Sequence, residues 1–85
     1  SPNVYFYRDH YGVEVDFVIP VADRLKLIEC KWSETPGIPK GFEQLQTLTG
    51  AHGIASKTVV VPTRGHRTLG DMSIEDPVDL TTLEH

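Results

Sequence analysis

Two apolar stretches, VEVDFVI at residues 13–19 and LKLIECKW at residues 25–32, decide how this chain folds. The first alternates apolar and polar residues with the period of two that indicates a β-strand with one buried face. Residues 20–23 between the stretches contain Pro20 and Asp23, which favour a turn. The sequence therefore predicts two neighbouring antiparallel strands, over residues 13–19 and 24–32.

Alternation also assigns a face of the sheet to each residue of these strands. We expect one face to carry Val13, Val15, Phe17, Ile19, Ile28, Cys30 and Trp32. The other face is expected to carry Glu14, Asp16, Val18, Leu25, Leu27, Glu29 and Lys31. A four-residue turn over residues 21–24 would set three opposed pairs: Pro20 with Leu25, Asp16 with Glu29, and Glu14 with Lys31.

The rest of the chain predicts an α/β fold with a mixed sheet of about four strands. Residues 4–8 form a first strand, and the turn at residues 9–12 completes an antiparallel meander. A helix is expected from Lys40 to Thr49, with an apolar stripe at helical spacing: Phe42, Leu45 and Leu48. Residues 50–57 are expected to be a connection, and residues 58–61 a parallel strand after this crossover helix. Residues 69–74 form a last short strand, and the chain from Glu75 is expected to be loosely ordered.

Asp16, Glu29 and Lys31 are the candidate functional residues. Directly opposed carboxylates repel each other unless a cation neutralises them, and Mg²⁺ or Mn²⁺ suits oxygen ligands of this kind. A neighbouring lysine stabilises charge on a phosphate, so the pattern predicts a metal-dependent phosphodiesterase site. Ordinary ion pairs remain the alternative, either Glu14 with Lys31 or Asp16 with Arg24 or Lys31.

A family resemblance rests on VYFYRDHYG and VEVDFVI followed by LKLIECKWSETP. This segment resembles the domain that follows the ATPase domain in prokaryotic AAA-type ATPases, which is similar to the PD-(D/E)XK nucleases. The resemblance covers residues 4–62 and implies a restriction-endonuclease-like core. It implies that Asp16 is the motif aspartate, that Glu29 and Lys31 are the E-x-K pair, and that the backbone carbonyl of Cys30 lies near the metal.

The same resemblance implies partners and a function. DNA is the implied substrate, and the ATPase domain of a longer parent chain is the implied partner. A further acid is expected from a helix upstream of Ser1. Some members also use a glutamine on the helix after E-x-K, for which Gln44 and Gln46 are the candidates here, but both lack the aromatic partner of the Q-x-x-x-Y variant. The alternative function is a catalytically degenerate DNA-binding or partner-binding module of the parent ATPase. A purely structural assembly domain is a third hypothesis.

Other side chains have two interpretations each. Tyr5 and Tyr7 either stack on bases or pack half-buried, and Phe6 is expected to pack with Val15. Cys30 and Trp32 are expected in the core. A basic cluster, which comprises Arg64, His66 and Arg67, either contacts a phosphate backbone or belongs to a solvated loop.

Composition limits the classes of function. The formal charge of −4 argues against a general polyanion binder, because non-specific nucleic-acid affinity comes from clustered Lys and Arg. Cys30 is the single cysteine, which excludes an internal disulfide and favours a cytoplasmic protein. No apolar run approaches the ~18 residues of a membrane span, so no membrane partner is expected. Residues 1–82 are assigned to one domain, and residues 83–85 (LEH) to the remnant of an expression tag.

Overall fold

A computed structural model describes residues 3–33 and 35–77. These residues form one helix and six strands: β1 (Tyr5–Arg8), β2 (Glu14–Val21), β3 (Arg24–Cys30), α1 (Lys40–Thr49), β4 (Ile54–Val60), β5 (Arg67–Leu69) and β6 (Met72–Glu75). The strands lie in one mixed sheet in the order β1-β2-β3-β4-β6-β5. The α/β fold, the antiparallel meander β1–β2–β3, and the parallel strand after α1 are confirmed.

The sheet is larger than the sequence predicted. β4 begins at Ile54 rather than at residue 58, because Ile54 is buried opposite Leu25 and extends the parallel pairing with β3. The predicted last strand over residues 69–74 is instead a hairpin, in which β5 and β6 turn at Gly70 with a φ of 62°. β6 then pairs parallel with β4. The mixed sheet is confirmed, but the expected number of about four strands is too low, since residues 3–33 and 35–77 contribute six.

The end of β6 also departs from the expectation. The sequence predicted loose order from Glu75, but the structure buries both Glu75 and Asp76. Residues 78–85, which include the predicted tag remnant, lie outside the described residues.

Helix α1 covers one face of the sheet. Its bounds are those predicted, and it ends at Gly50, whose φ of 88° favours glycine. Phe42 and Leu45 reach the core, whereas Leu48 is exposed, so the predicted stripe is correct for two of its three members. Phe42 and Leu45 pack against a cluster of buried residues from the sheet: Val15, Val18, Leu27, Ile54, Val59, Val61, Met72 and Ile74.

A β-bulge in β2 changes the predicted faces of that strand. Tyr7 pairs with Val15 and Tyr5 pairs with Val18, so three steps along β2 match two along β1. Val15 and Val18 consequently share the core beneath α1, although strict alternation places them on opposite faces. Phe17, which was expected to join Val15, is exposed.

The register between β2 and β3 agrees with the prediction. Pro20 opposes Leu25, and the regular pairing continues as far as Phe17 with Ile28. The face away from α1 forms the predicted core only in part, since Ile28 is buried there but the other residues expected in the core are not. Phe6 and Cys30 are exposed, and Trp32 is 94% exposed, because no helix in residues 3–33 or 35–77 covers that face. The one described helix is too short and too polar to cross a membrane.

Candidate functional site

Asp16 and Glu29, here called the hairpin acid pair, lie where the ladder between β2 and β3 gives way to side-chain contacts. The backbone N–H of Asp16 donates to Oε1 of Glu29 at 3.0 Å. The backbone N–H of Cys30 donates in return to Oδ2 of Asp16 at 2.9 Å. Each carboxylate is thus fixed by the opposite strand. The bulge at residues 16–17 lies at this point and opens the space for these contacts.

Lys31 is the cation nearest to this pair. Its Nζ lies 3.7 Å from Oε2 of Glu29, and its backbone N–H donates to the carbonyl of Val60 at 2.9 Å. The Glu29 side chain is 8% exposed and the Lys31 side chain 46%, so the ammonium reaches solvent while the carboxylate does not. The structure therefore brings Asp16, Glu29 and Lys31 together as the sequence predicted.

The hairpin acid pair has an unfavourable charge balance. Burial, together with the negative charge of Asp16, raises the pKa of Glu29 above its usual value, although the Asp16 N–H and Lys31 oppose the change. Partial burial and the same two carboxylates raise the pKa of the Cys30 thiol. A thiol with a raised pKa is a poor nucleophile, so Cys30 contributes to this site through its backbone N–H rather than through its thiol.

The Glu14 carboxylate pairs with Arg8 rather than facing Lys31 as predicted. Its Oε1 accepts a hydrogen bond at 2.7 Å from Nε of Arg8, across β1 and β2, and forms an ion pair with Nη2 of the same residue at 2.5 Å. The expected opposition of Glu14 and Lys31 is therefore wrong, because the bulge reverses the side of β2 on which Glu14 lies. The alternative pairing of Asp16 with Arg24 is also absent, since Arg24 donates to the carbonyls of His52 and Ile54.

A cleft of about 350 Å³ opens beside Glu29 and Lys31. Its walls are the β1–β2 turn, the end of β3 and the start of α1, and its lining residues are Tyr11, Gly12, Val13, Glu14, Glu29, Lys31, Pro39, Lys40 and Gly41. Asp16 is not one of these residues. Gly41 allows α1 to approach β2, because a Cβ at this position would lie 2.3 Å from the Glu14 carbonyl oxygen.

Six of the nine lining residues were not candidates from the sequence, among them Tyr11, Lys40 and Gly41. Tyr11 belongs to a turn, and its role depends on the start of a helix that is distant in sequence. Glycine directly after Pro39 and Lys40, at the beginning of a predicted helix, was the available signal, because glycine is a poor helix former.

A second acidic site lies at the end of β6, and we call Glu75 and Asp76 the terminal acid pair. Oδ2 of Asp76 accepts the Gly65 N–H at 2.8 Å and lies 3.5 Å from Nε of Arg64. Oε1 of Glu75 contacts Nδ1 of His66. Two members of the predicted basic cluster therefore hold a loop against the sheet.

The other candidates have local roles. Tyr7 is half-buried against the core and donates its hydroxyl to Oδ2 of Asp9 at 3.3 Å, while Tyr5 is 53% exposed. Gln46 donates to the Gly50 carbonyl at 2.6 Å. Across residues 3–33 and 35–77, no group of three or more His, Cys, Asp or Glu side chains is arranged to hold a metal ion. The hairpin acid pair is therefore a two-carboxylate arrangement.

Fold and site together define a small α/β domain with a carboxylate pair and a lysine at the end of its central hairpin. The chain belongs to the family DUF4143, described as a domain of unknown function, whose match covers residues 1–82. No curated protein and no solved structure matches the chain.

Proposed function

We propose that this domain has a restriction-endonuclease-like core and hydrolyses DNA phosphodiester bonds in a metal-dependent reaction of the PD-(D/E)XK type. The observation that carries the proposal is the reciprocal fixing of Asp16 and Glu29, with Lys31 at 3.7 Å from Glu29. Preorganised charges of this kind are the usual basis of phosphodiester hydrolysis, because the transition state gains charge that fixed groups stabilise.

The hairpin acid pair fits a divalent cation. Glu29 is buried beside a second carboxylate and its pKa is raised, so a positive ion there would relieve a repulsion already present. Mg²⁺ or Mn²⁺ would be held by Asp16, Glu29 and the backbone carbonyl of Cys30, with water in the remaining positions. A bound cation of this type polarises a phosphoryl oxygen and lowers the pKa of water.

Lys31 completes the proposed chemistry. Its ammonium reaches solvent at the edge of the cleft and would stabilise negative charge on the scissile phosphate. We further propose that the domain acts in the cytoplasm beside the ATPase domain of a longer parent chain, whose motor activity would bring DNA to this site.

Metal binding tests the proposal most directly. We expect isothermal titration with Mn²⁺ to give one site in the wild-type domain and none in Asp16→Asn or Glu29→Gln. Asp23→Asn is the matched control, because it removes the same charge from the exposed turn at the other end of the β2–β3 hairpin. Equal binding in all four proteins would reject the metal site.

Cleavage tests the role of Lys31. We expect the parent protein to nick DNA in Mn²⁺, and Lys31→Met to lose cleavage while it still binds the metal. The separation of these two results is the signature of a group that acts on the phosphate rather than on the cation. Cleavage by Lys31→Met at the wild-type rate would contradict the assignment.

The second candidate function is a non-catalytic module that binds DNA or a protein partner for the parent ATPase. It is favoured by the hydrogen bonds that Asp16 and Glu29 already accept from the backbone, since these occupy one oxygen of each carboxylate. DNA binding without metal-dependent cleavage in the parent protein would support this module over the nuclease.

A further inference from the structure

We propose that the cleft binds one unpaired nucleotide of a single DNA strand, with its phosphate between Lys31 and Lys40 and its base stacked on Tyr11. This inference rests on the proposed function and names its substrate class. Four features of the cleft support it: its size, its two lysines, its exposed aromatic ring and the fixed turn that carries this ring.

The cleft has the size and position of a ligand site. Its volume of about 350 Å³ lies within the range of small-molecule pockets, which starts at ~300 Å³. Glu29 and Lys31 contribute to its lining, so a phosphate in the cleft would lie beside the hairpin acid pair. A nucleotide bound there would be placed where the proposed hydrolysis occurs.

Two lysines reach this cleft from different elements. Lys31 shares its charge with Glu29, whereas Lys40 forms no ion pair with any acid in the described parts of the chain. Lys40 is exposed and also begins α1, where a positive charge is unfavourable next to the helix dipole. An anion between the two ammonium groups would neutralise this unfavourable charge.

Tyr11 supplies a surface for a base. Its side chain is 82% exposed, and its ring contacts the His10 ring at a centroid distance of 4.2 Å and an angle of 39°. An exposed aromatic ring beside lysine side chains is an arrangement that proteins use to bind single strands, because every base offers a face for stacking. In a duplex the neighbouring bases cover these faces, so the cleft favours an unpaired nucleotide.

The turn that carries Tyr11 is fixed by hydrogen bonds. Oδ1 of Asp9 accepts the backbone N–H groups of Tyr11 at 2.9 Å and of Val13 at 3.1 Å. Gly12 has a φ of 84° and donates its N–H to the Asp9 carbonyl at 3.2 Å. The backbone below the tyrosine is therefore ordered before any ligand binds, which reduces the entropic cost of stacking.

Fluorescence anisotropy with a labelled ten-nucleotide oligodeoxythymidylate tests the inference, in EDTA so that binding does not depend on metal. We expect the single strand to bind more tightly than a blunt duplex of the same length. Tyr11→Ala should weaken single-strand binding about tenfold, as expected for one lost stacking contact, and Tyr11→Phe should restore it. Lys40→Met should weaken binding and reduce the slope of log affinity against log salt by about 0.7.

Two control variants separate the cleft from the general surface. Tyr5→Ala removes another exposed tyrosine outside the cleft, and Lys57→Met removes a lysine that is paired with Asp71. We expect wild-type affinity for both. If these two controls lose as much affinity as Tyr11→Ala and Lys40→Met, the inference is overturned. Unchanged affinity in Tyr11→Ala, tighter binding of the duplex, or no binding of DNA by the wild-type domain would also overturn it.

Binding and cleavage together distinguish a failure of this inference from a failure of the nuclease proposal. Single-strand binding that depends on Tyr11 and Lys40, in a protein without metal-dependent cleavage, supports the cleft and rejects the nuclease. If Tyr11→Ala cleaves DNA at the wild-type rate and binds the single strand with unchanged affinity, the nuclease proposal is supported and nucleotide binding in the cleft is rejected.

Discussion

Two acidic pairs stand at strand ends in this domain, and their surroundings differ. In the terminal acid pair each carboxylate has its own side-chain partner, Arg64 for Asp76 and His66 for Glu75, and Asp76 also accepts a backbone N–H. In the hairpin acid pair the two carboxylates share one lysine, which lies 3.7 Å from Glu29. Burial and the neighbouring carboxylate raise the pKa of Glu29.

The comparison distinguishes a structural pair from a pair that can accept a ligand. The terminal acid pair closes a loop with groups already present, so nothing needs to be added to it. The hairpin acid pair retains a repulsion that folding does not remove, and perturbed carboxylates of this kind concentrate at functional sites. We therefore expect the terminal acid pair to supply stability and the hairpin acid pair to reduce it.

The largest effect is expected from Asp76→Ala. Asp76 is 2% exposed, and its removal leaves the Gly65 N–H without the carboxylate that accepts its hydrogen bond. A hydrogen bond to a buried charged group contributes about 2 kcal/mol, so we expect the free energy of unfolding in urea to fall by about that amount. The exposed guanidinium of Arg64 adds little.

Asp71→Ala is the matched control for this measurement. Asp71 lies in the turn before β6 and pairs with Lys57, but its side chain is exposed, so we expect a loss below about 0.5 kcal/mol. Similar losses in the two variants would mean that burial does not distinguish the terminal acid pair from a surface ion pair.

A smaller loss is expected from Gly41→Ala, which acts on the region of the hairpin acid pair alone. The new Cβ would lie 2.3 Å from the Glu14 carbonyl oxygen and 2.6 Å from Cγ2 of Val15, so α1 must move away from β2. Overpacking of this kind costs about 1–2 kcal/mol, which exceeds the gain in helix propensity from alanine. Thermal and urea unfolding measure this cost.

Gly37→Ala is the control for helix placement. No atom lies within 4 Å of a Cβ at position 37, so we expect the unfolding free energy to stay at the wild-type value. Amide chemical shifts provide a second measurement. In Gly41→Ala they should change around Glu14 and Glu29 and remain unchanged at the terminal acid pair. Changes spread evenly over both pairs would show that the two regions are not independent.

The local elements were predictable because their signals lie within a few residues. Apolar alternation and turn residues are sufficient to predict β2, β3 and their register, and helical spacing gives the bounds of α1. The same signals fail for β4. Its first half contains the polar residues Ser56 and Lys57, so its sequence indicates a loop between elements rather than a strand. Its strand character comes from pairing with β3 on one side and β6 on the other.

The site was predictable in its residues but not in its geometry. The hairpin register brings Asp16, Glu29 and Lys31 together, and this was visible in their spacing. The bulge was not visible, because it accompanies hydrogen bonds between side chains and the opposite backbone. It moves Glu14 to Arg8 and leaves the hairpin acid pair beside a cleft. Nor does alternation reveal which face a helix will cover, which is why Cys30 and Trp32 were assigned to the core.

The smallest effect, and the one of opposite sign, is expected from Glu29→Gln in metal-free buffer. The raised pKa of Glu29 means that the folded protein holds this proton more tightly than the unfolded chain does. The ionised carboxylate therefore costs stability above the folded pKa, and the cost disappears as the pH falls to the ordinary value of 4.5. Glutamine keeps an oxygen for the Asp16 N–H without the charge.

We therefore expect Glu29→Gln to raise the free energy of unfolding in urea at pH 7.5, by less than Asp76→Ala or Gly41→Ala lowers it. At pH 4 we expect Glu29→Gln to leave this free energy unchanged. Glu75→Gln removes an acid of the terminal pair that has His66 as its partner, and it should give no gain at either pH. Addition of Mn²⁺ at pH 7.5 should reverse the order, because only wild-type protein would gain the binding energy of the cation. A loss of stability in Glu29→Gln at pH 7.5 without metal would show that Glu29 is a structural carboxylate like those of the terminal acid pair.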